Sequence, residues 1–290
     1  MRTLLLTMLC LYCSFSKAQT LNRVDVDNGL MHYYSKGEGK TILFIHGAQE
    51  DFRVFLPQVE FLCDRFKVVT YSRRYNFPNN NKIVGDINVE TEGEDLRLLV
   101  QKLGTPVHLV GHSYGGLIAI DFALTYPELT KSLILSEPAL VDWLKTSPEC
   151  KTNYEDFQKK LISETRQAFK TNDTTLVMKE LFEFFAGEDI QDQIPQEVLD
   201  MLKANLREIK ALVTSSNGFK SPSFQSVKNL KMPIMVFTSG RTMPLQHCTN
   251  KKLLEAFPDA VHHHLENAGH EMWMTHSKEL AGQVSAFLTD

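Results

Sequence analysis

Short runs of consecutive apolar residues alternate along the chain with longer segments in which apolar residues recur at helical spacing. The runs Ile42–Ile45, Val68–Tyr71 and Val107–Val110 show no polar alternation, which is typical of strands that are covered on both faces. The segment 91–103 instead repeats its apolar residues every three or four positions, as one face of a helix does. This alternation predicts an α/β fold. The other predicted strands are Val24–Val26, Met31–Tyr34, Ser132–Ser136, Ile234–Thr238 and Val261–Leu265.

One long segment, between Pro138 and Met232, breaks the alternation. It has no clear strand pattern, but it has several helical ones. These are Tyr154–Phe169, Leu176–Phe185 and Val198–Val213. An all-helical segment between two strands of a sheet forms a lid over the carboxyl edge of that sheet. We therefore predict a helical cap at residues 139–231, inserted into a core formed by residues 19–138 and 232–290.

The first eighteen residues carry the three-part pattern of a secretory signal peptide. Arg2 provides a positive start, Leu4–Phe15 forms an apolar run, and Ser16–Ala18 supplies small residues before a cleavage point. The run is shorter than the roughly 20 apolar residues that a membrane-spanning helix needs. We predict export to the periplasm or the outside of the cell, with no stable membrane span after cleavage. The alternatives are a cytosolic protein with an apolar N-terminus and a lipoprotein, although no clear lipobox precedes either cysteine of the run.

Composition narrows the function classes without choosing among them. The chain has 290 residues, of which 43% are apolar, and a net charge of −4. Nucleic-acid binding is not expected, because no long basic stripe is present. Loss of the signal peptide would leave Cys63, Cys150 and Cys248, which allow at most one internal disulfide, and free buried thiols are the default expectation. Their spacing does not resemble a metal site.

The sequence Gly-His-Ser-Tyr-Gly-Gly at Gly111–Gly116 lies between a predicted strand and a predicted helix. A Gly-x-Ser-x-Gly pattern in this context is typical of a nucleophile elbow, in which a tight turn projects the serine from the sheet edge. Glycine is needed on both sides because the strand and the helix approach each other closely. Ser113 is thus the predicted nucleophile. The amide of Tyr114, at the start of the helix, is one predicted oxyanion donor.

Two other segments offer the groups that such a nucleophile needs. His46–Gln49 follows a buried strand, and in serine hydrolases the loop at this place supplies a second oxyanion amide, for which we predict Ala48. His270 lies in a small-residue turn after the last predicted strand and is the predicted general base. The run His262–His264 lies within a strand, and we interpret it as structural. We interpret His112 as the variable position of the elbow.

The acid that orients the base is the hardest residue to assign. Folds of this kind commonly place an aspartate in the loop after the strand that here ends at Thr238, but that loop contains no carboxylate. Glu137 lies at the end of another buried strand, where a charge is costly without a partner. A protonated His270 would be such a partner, and we therefore predict Glu137 as the acid. Two alternatives remain open. In the first, Glu137 caps a local amide or pairs with Arg73 or Arg74. In the second, Asp142 is the acid.

Together these segments resemble the α/β-hydrolase superfamily across essentially all of the chain after the predicted signal peptide. The segments that carry the resemblance are His46–Gly47, Tyr71–Arg74, Gly111–Gly116, Ser136–Pro138 and Gly269–His270. The resemblance implies a mostly parallel, eight-stranded sheet flanked by helices, with an all-helical cap inserted after the sixth strand. No cofactor and no metal are implied. The missing aspartate after Thr238 departs from the family pattern and leaves the acid open.

The resemblance does not name a substrate, since this fold hosts esterases, lactonases, peptidases, thioesterases and carbon–carbon hydrolases. Epoxide hydrolases and haloalkane dehalogenases are set aside, because they use a carboxylate nucleophile where this chain has Ser113. The elbow also lacks the Gly-Gly-Ser-Trp form of proline iminopeptidases.

We predict a serine hydrolase of the esterase type, which cleaves a carboxylic ester or related acyl bond of a small to medium, apolar molecule through an acyl-enzyme. His46, Phe182 and Phe185 are the predicted substrate contacts, although aromatic residues at helical spacing often belong to a core. The alternatives are a carbon–carbon bond hydrolase or lactonase of the same fold, and a non-catalytic ligand-binding protein. No sequence pattern predicts the oligomeric state.

Overall fold

The computed structural model describes residues 20–104 and 106–289, so the predicted signal peptide lies outside the described residues. The strands are β1 Asn22–Val26, β2 Gly29–Lys36, β3 Thr41–Ile45, β4 Lys67–Tyr71, β5 Val107–His112, β6 Thr130–Ser136, β7 Ile234–Ser239 and β8 Val261–Leu265. They form one eight-stranded sheet in the spatial order β1-β2-β4-β3-β5-β6-β7-β8. β2 pairs antiparallel with β1 and β4, and all other pairs run parallel. The predicted α/β fold with a mostly parallel sheet is confirmed.

Helices flank the sheet and also fill the segment between β6 and β7, which we call the inserted segment (residues 139–231). The α-helices are α1 Leu56–Leu62, α2 Val89–Leu103, α3 Tyr114–Thr125, α4 Lys151–Asp156, α5 Thr165–Ala168, α6 Thr174–Phe185, α7 Gln196–Ala204, α8 Leu206–Thr214, α9 Phe224–Val227, α10 Pro244–Ala256, α11 Met272–Thr275 and α12 Ser277–Thr289. A π-helix, Phe157–Glu164, joins α4 to α5. In the part of the chain that the structure describes, no helix is long and apolar enough to cross a bilayer.

Alternate side chains of the central strands enter two separate hydrophobic cores. In β3, Leu43 and Ile45 belong to the core that also contains side chains of α2 and α3. Ile42 and Phe44 belong to the core on the other face, with side chains of α1 and α12. The Phe44 ring meets the Trp273 ring edge-on, with 5.7 Å between centroids. Because neighbouring side chains of a strand point to opposite faces, a sheet covered on both sides requires the unbroken apolar runs seen in the sequence.

The helical pattern over Val198–Val213 forms two helices rather than one, and Asn205 separates them. The Asn205 side chain is fully buried. Its Nδ2 donates to Asp51 Oδ2 at 2.8 Å, and its Oδ1 accepts the amide of Phe77 at 2.7 Å. The helix is thus interrupted at a polar residue that ties the inserted segment to loops of the core.

Cys150 and Cys248 form a disulfide, with their Cα atoms 6.0 Å apart. The default expectation of free buried thiols is therefore wrong for these two residues, and Cys63 is the free cysteine among the described residues. The pair is 98 positions apart in sequence, so only the folded topology brings the two thiols together. Cys150 precedes α4 of the inserted segment and Cys248 lies in α10 of the core, so the bridge joins these two parts.

Candidate active site

Ser113 lies on a sharp turn between the end of β5 and the start of α3. Its backbone angles, φ +52° and ψ −118°, lie in a region that residues with a side chain rarely adopt. A Cβ atom on Gly115 would lie 2.1 Å from the carbonyl oxygen of Ile45, and one on Gly111 would lie 2.7 Å from the carbonyl oxygen of Gly115. The two glycines therefore allow the helix and the strands to approach closely enough to form the turn.

Glu137 and His270 are joined by a hydrogen bond of 2.7 Å between Oε2 and Nδ1, although they are 133 positions apart in sequence. Glu137 directly follows β6, has a positive φ of +46°, and is fully buried. His270 lies in the loop after β8, two strands away in the sheet. Because the strands between them run parallel, both loops leave the sheet at its carboxyl edge, beside the turn of Ser113.

Several donors besides His270 hold the Glu137 carboxylate. Oε1 accepts the amide and the hydroxyl of Ser239 at 3.0 and 2.7 Å and the side-chain amide of Asn250 at 3.0 Å. Oε2 accepts the hydroxyl of Thr242 at 2.7 Å. Burial works to raise the pKa of Glu137, but the hydrogen bond and charge of His270, together with the hydroxyl donors, lower it to about 2. Glu137 is thus a carboxylate at neutral pH.

Of the alternatives that the sequence left open, the capping of an amide occurs together with the His270 contact, since Glu137 accepts the Ser239 N–H at Oε1 and contacts His270 through Oε2. The other two alternatives are not found. The arginines form buried ion pairs elsewhere, Arg73 with Glu92 and Glu208, and Arg74 with Asp95. Asp142 accepts the amide of Ser221 at 3.0 Å and pairs with Lys145 at 2.7 Å. Glu137 is therefore the carboxylate that the fold brings to His270.

Backbone amides of the loop after β3 have different partners. The N–H of Gly47 donates to Glu50 Oε2 at 2.7 Å, and the N–H of Gln49 donates to Glu208 Oε2 at 2.9 Å. The N–H of Ala48, between them, has no acceptor among the described residues. Ala48 lines the same cavity as Ser113.

Two amides predicted as oxyanion donors therefore lie near Ser113. Tyr114 is the first residue of α3, so its N–H has no partner within the helix. On the other side, a Cβ atom on Gly47 would lie 3.2 Å from the Cβ of Ser113, which shows how closely the loop of Ala48 packs against the elbow.

His46, predicted as a substrate contact, lies behind this loop and not in the cavity wall. It is fully buried, and burial together with the Arg73 charge lowers its pKa to about 3. The neutral ring donates from Nδ1 to the carbonyl of Gly47 at 2.8 Å and accepts the Arg73 amide at Nε2 at 3.0 Å. The prediction for His46 is therefore wrong, because this side chain satisfies buried backbone groups at the strand end.

His112 has a larger role than a variable elbow position. Its Nδ1 lies 3.4 Å from Glu50 Oε2, and its Nε2 lies 3.0 Å from the backbone carbonyl oxygen of His270. Burial works to lower the pKa of His112, but the charge and hydrogen bond of Glu50, the Glu137 charge and the His270 carbonyl together raise it. The His112 ring thus links the loop of Glu50 to the loop of His270, a contact that sequence reasoning missed.

A cavity of about 710 Å³ opens above the carboxyl edge of the sheet and contains Ser113 and His270 in its wall. The predicted substrate contacts Phe182 and Phe185 also line it, and the Phe185 ring stacks parallel to the His270 ring with 6.5 Å between centroids. Its other large apolar wall residues are Leu181, Phe184, Ile190, Ile194, Val198, Leu202, Met243, Leu245 and Met274. Within the described ranges, no group of three or more His, Cys, Asp or Glu side chains is arranged to hold a metal ion.

The sequence matches the family model of the alpha/beta hydrolase fold over residues 40–277. The match covers most of the chain and includes the elbow, the loop after β3, Glu137 and His270. The chain therefore belongs to the α/β-hydrolase fold family, as the sequence resemblance implied.

Two curated relatives carry hydrolase names. An uncharacterized hydrolase, YraK, of Bacillus subtilis strain 168 is 34% identical over 124 residues, which is 42% of this chain and 45% of that protein. A putative carbamate hydrolase, RutD, of Caulobacter sp. strain K31 is 24% identical over 281 residues, which is 90% of this chain and 96% of that protein. The match to the first relative thus spans less than half of its length.

Solved structures show the same fold at low identity. A bromoperoxidase from Bacillus anthracis superposes with a TM-score of 0.75 and 20% identity, over 93% of this chain and 100% of that chain. An esterase from Thermogutta terrifontis superposes with a TM-score of 0.73 and 19% identity, over 93% of this chain and 98% of that chain. Such likeness identifies the fold and leaves the reaction to the residues of the site.

Proposed function

We propose that this chain is a serine hydrolase that cleaves a carboxylic ester or related acyl bond of a small to medium, apolar substrate through an acyl-enzyme. The observation that carries the proposal is the 2.7 Å hydrogen bond between Glu137 and His270, because His270 lines the same cavity as Ser113. A carboxylate on Nδ1 of a histidine leaves Nε2 free to exchange protons with a nearby hydroxyl. The hydrolase names of the relatives support the reaction class.

In the proposed reaction, Ser113 Oγ attacks the substrate carbonyl while His270 Nε2 takes the hydroxyl proton. The oxygen of the tetrahedral intermediate accepts the N–H groups of Ala48 and Tyr114. His270 then protonates the leaving alcohol, and the acyl group stays on Ser113. A water then attacks the acyl carbonyl carbon and gives a proton to His270, which passes it to Ser113 Oγ as the carboxylic acid leaves, so that the free serine is restored. Glu137 orients His270 and stabilises the imidazolium that forms twice in each cycle.

The cavity supports the proposed substrate class. Its volume of about 710 Å³ falls within the roughly 300–1,000 Å³ usual for small-molecule sites. Phe182 and Phe185 line the cavity from the inserted segment, and an apolar acyl or alcohol group would bury surface against them.

Labelling with a fluorophosphonate probe tests the nucleophile. We expect the wild-type protein to be labelled on the peptide that contains Ser113, and the Ser113→Ala variant to be unlabelled. A p-nitrophenyl ester panel of increasing acyl length should show turnover that rises with chain length up to a medium acyl group. If folded wild-type protein is neither labelled nor active on esters, thioesters or lactones, the non-catalytic ligand-binding alternative is the better account.

A carbamate is a second candidate substrate, favoured by the relative named as a putative carbamate hydrolase, which matches this chain over 90% of its length. The same groups would act on it, because a carbamate also has a carbonyl carbon and a leaving alcohol or amine. Turnover of a p-nitrophenyl carbamate at a higher kcat/KM than the ester of equal length would favour this class.

Export to an oxidising compartment remains a proposal, and the Cys150–Cys248 disulfide supports it, since structural disulfides persist mainly outside the cytosol. N-terminal sequencing of the protein recovered from the producing cells is the test. A start near Gln19 is the expected result, and an intact Met1 on cytosolic protein would contradict it.

A further inference from the structure

Two hydrogen-bond donors on the buried side of the loop hold the peptide group that joins Gly47 to Ala48. The carbonyl oxygen of Gly47 accepts Nδ1–H of His46 at 2.8 Å and Nη2–H of Arg73 at 3.0 Å. A trans peptide is planar, with its C=O and N–H pointing in opposite directions. Donors that hold the Gly47 carbonyl on the buried side therefore hold the Ala48 N–H toward the cavity.

The next peptide group, between Ala48 and Gln49, is fixed by a residue of the inserted segment. Glu208 lies in α8 and is fully buried. One of its carboxylate oxygens accepts the Gln49 N–H at 2.9 Å, and the other accepts Nη2–H of Arg73. Gln49 has a φ of +62°, a left-handed conformation that is unfavourable for a residue with a side chain. The Glu208 hydrogen bond thus holds the loop in a conformation that it would not adopt alone.

Arg73 connects these contacts and carries a fully buried charge. Its Nη1 donates to Glu92 at 3.1 Å, and its guanidinium lies 4.8 Å from the ring centroid of Tyr114, the residue whose amide is the other proposed oxyanion donor. A buried charge is stable only when paired, and Glu208 pairs with the same Nη2 that holds the Gly47 carbonyl, so losing Glu208 disturbs the contact of the arginine with the loop. Glu92 and Glu208 pair with different nitrogens of this group, and of the two only Glu208 also forms a hydrogen bond with the loop of Ala48.

We infer that Glu208, paired with Arg73, is a positioning residue for the oxyanion hole, so that the inserted segment completes the catalytic geometry of the core. The inference rests on the proposed function, because it takes Ala48 as an oxyanion donor. Glu208 holds the peptide after Ala48, and Arg73 holds the peptide before it. The oxyanion hole therefore has its catalytic geometry only when α8 packs against the core.

The Glu208→Gln substitution tests the inference with little change in size. A carboxylate accepts hydrogen bonds at both oxygens, whereas a carboxamide accepts at its oxygen and donates from its nitrogen. Because the Gln49 N–H and Arg73 are both donors, the glutamine can accept from only one of them and places its NH2 group against the other. Glu92→Gln is the matched control at the same arginine. Burial raises the pKa of Glu92 to about 7, so this side chain is already partly protonated near neutral pH and a carboxamide imitates it.

The measurement compares kcat/KM for an ester with that for its thiono analogue, in which sulfur replaces the carbonyl oxygen. Sulfur is a weak hydrogen-bond acceptor, so the amides of the oxyanion hole stabilise the transition state of the thiono ester only slightly. We expect Glu208→Gln to lower kcat/KM for the ester about 30-fold, mainly through kcat, and to lower the ester-to-thiono ratio about tenfold. We expect kcat/KM of Glu92→Gln to stay within about threefold of the wild-type value for both substrates, because Glu92 does not contact the loop that supplies the Ala48 amide.

Equal losses on both substrates would overturn the inference, because a purely structural role lowers the amount of active protein without changing the ratio. If Glu208→Gln does not fold, as judged by its thermal unfolding curve, Arg73→Lys replaces it. A lysine has a single nitrogen and lacks the planar fork in which Nη1 pairs with Glu92 while Nη2 holds the Gly47 carbonyl and Glu208, so the ester-to-thiono ratio should fall in this variant too. A wild-type protein that is unlabelled at Ser113 and hydrolyses neither substrate would refute the proposed function itself.

Discussion

The two sides of Ser113 are held in different ways. On the side of the proposed acid, called the acid side, Glu137 lies among neutral donors from the core, in β7, the loop after it and α10. On the side of the proposed oxyanion hole, called the oxyanion side, the loop of Ala48 is held by a buried arginine and by Glu208 of the inserted segment. The first arrangement uses hydrogen bonds to one charge, and the second uses a network of several buried charges.

This difference distinguishes the proposed catalytic groups that core residues hold alone from those that also depend on residues of the inserted segment. Among the described residues, the hydrogen bonds to the Glu137 carboxylate come only from the core, so the proposed acid and base should be ordered in any state that keeps the sheet intact. The oxyanion loop has Gln49 in a left-handed conformation and depends on a side chain 159 positions further along the chain. Substitutions on the two sides should therefore have different signatures.

The largest expected effect comes from the acid side. Glu137→Gln removes the charge that stabilises the imidazolium and favours the wrong ring tautomer, so kcat should fall about 10³- to 10⁴-fold. Steady-state kinetics on the best p-nitrophenyl ester provide the measurement. Asp142→Asn is the control and should remain near wild type. Full turnover by Glu137→Gln would show that another group orients His270.

The disulfide joins the two regions and should matter for stability more than for catalysis. Replacing Cys150 and Cys248 by serine releases a loop of about 100 residues and should lower the unfolding free energy by about 4 kcal/mol. Denaturant unfolding measures this loss, with Cys63→Ser as the control that should leave stability unchanged. If the double variant instead loses kcat as strongly as Glu208→Gln, then the disulfide, and not the Arg73–Glu208 pair, holds the inserted segment in place on the core.

Acid titration should reveal the stabilisation of the Glu137 carboxylate. Its folded pKa of about 2 lies below the ordinary value of 4.5, so the unfolded chain binds more protons between these values. The stability from Glu137 is present above pH 4.5 and is lost as the pH falls toward 2, with a total of about 3 kcal/mol. The difference in unfolding free energy between wild type and Glu137→Gln should shrink by this amount across the range. A constant difference would contradict the assigned pKa.

The smallest expected effect concerns one donor to the acid. Thr242→Val keeps the shape of the side chain but removes the hydroxyl that donates to Glu137 at 2.7 Å. We expect a loss of about 1.5 kcal/mol in unfolding free energy and a fall in kcat of less than about tenfold. Thr238→Val is the matched control, since that hydroxyl contacts His262 and His264 rather than Glu137. Equal effects of the two substitutions would show that the donor is not specific to the acid.

The fold and the acid side were largely predictable from sequence, because their signals are local. Unbroken apolar runs reveal strands covered on both faces, and glycines mark the elbow of Ser113. Glu137 followed from the cost of a carboxylate at a buried strand end. The missed donors Ser239 and Thr242 lie at the end of β7 and in the loop after it, where the family pattern places the acid, and their hydroxyl groups were an available signal.

The oxyanion side was less predictable, because its contacts join distant segments. No periodicity links Arg73 to Glu208, which lie 135 positions apart, or Cys150 to Cys248. His46 was misassigned because a histidine at a strand end can face either a cavity or buried backbone groups, and only the packing of Arg73 against it decides between the two.

Trapping the acyl-enzyme tests the central claim, that Ser113 is the nucleophile of acyl transfer, most directly. Wild-type protein mixed with excess p-nitrophenyl ester and quenched in acid is digested and analysed by mass spectrometry. We predict that the acyl mass is found on the peptide containing Ser113, and that the Ser113→Ala variant carries no acyl group and has lost turnover. An acyl group on any other residue, or full turnover by Ser113→Ala, would contradict the account.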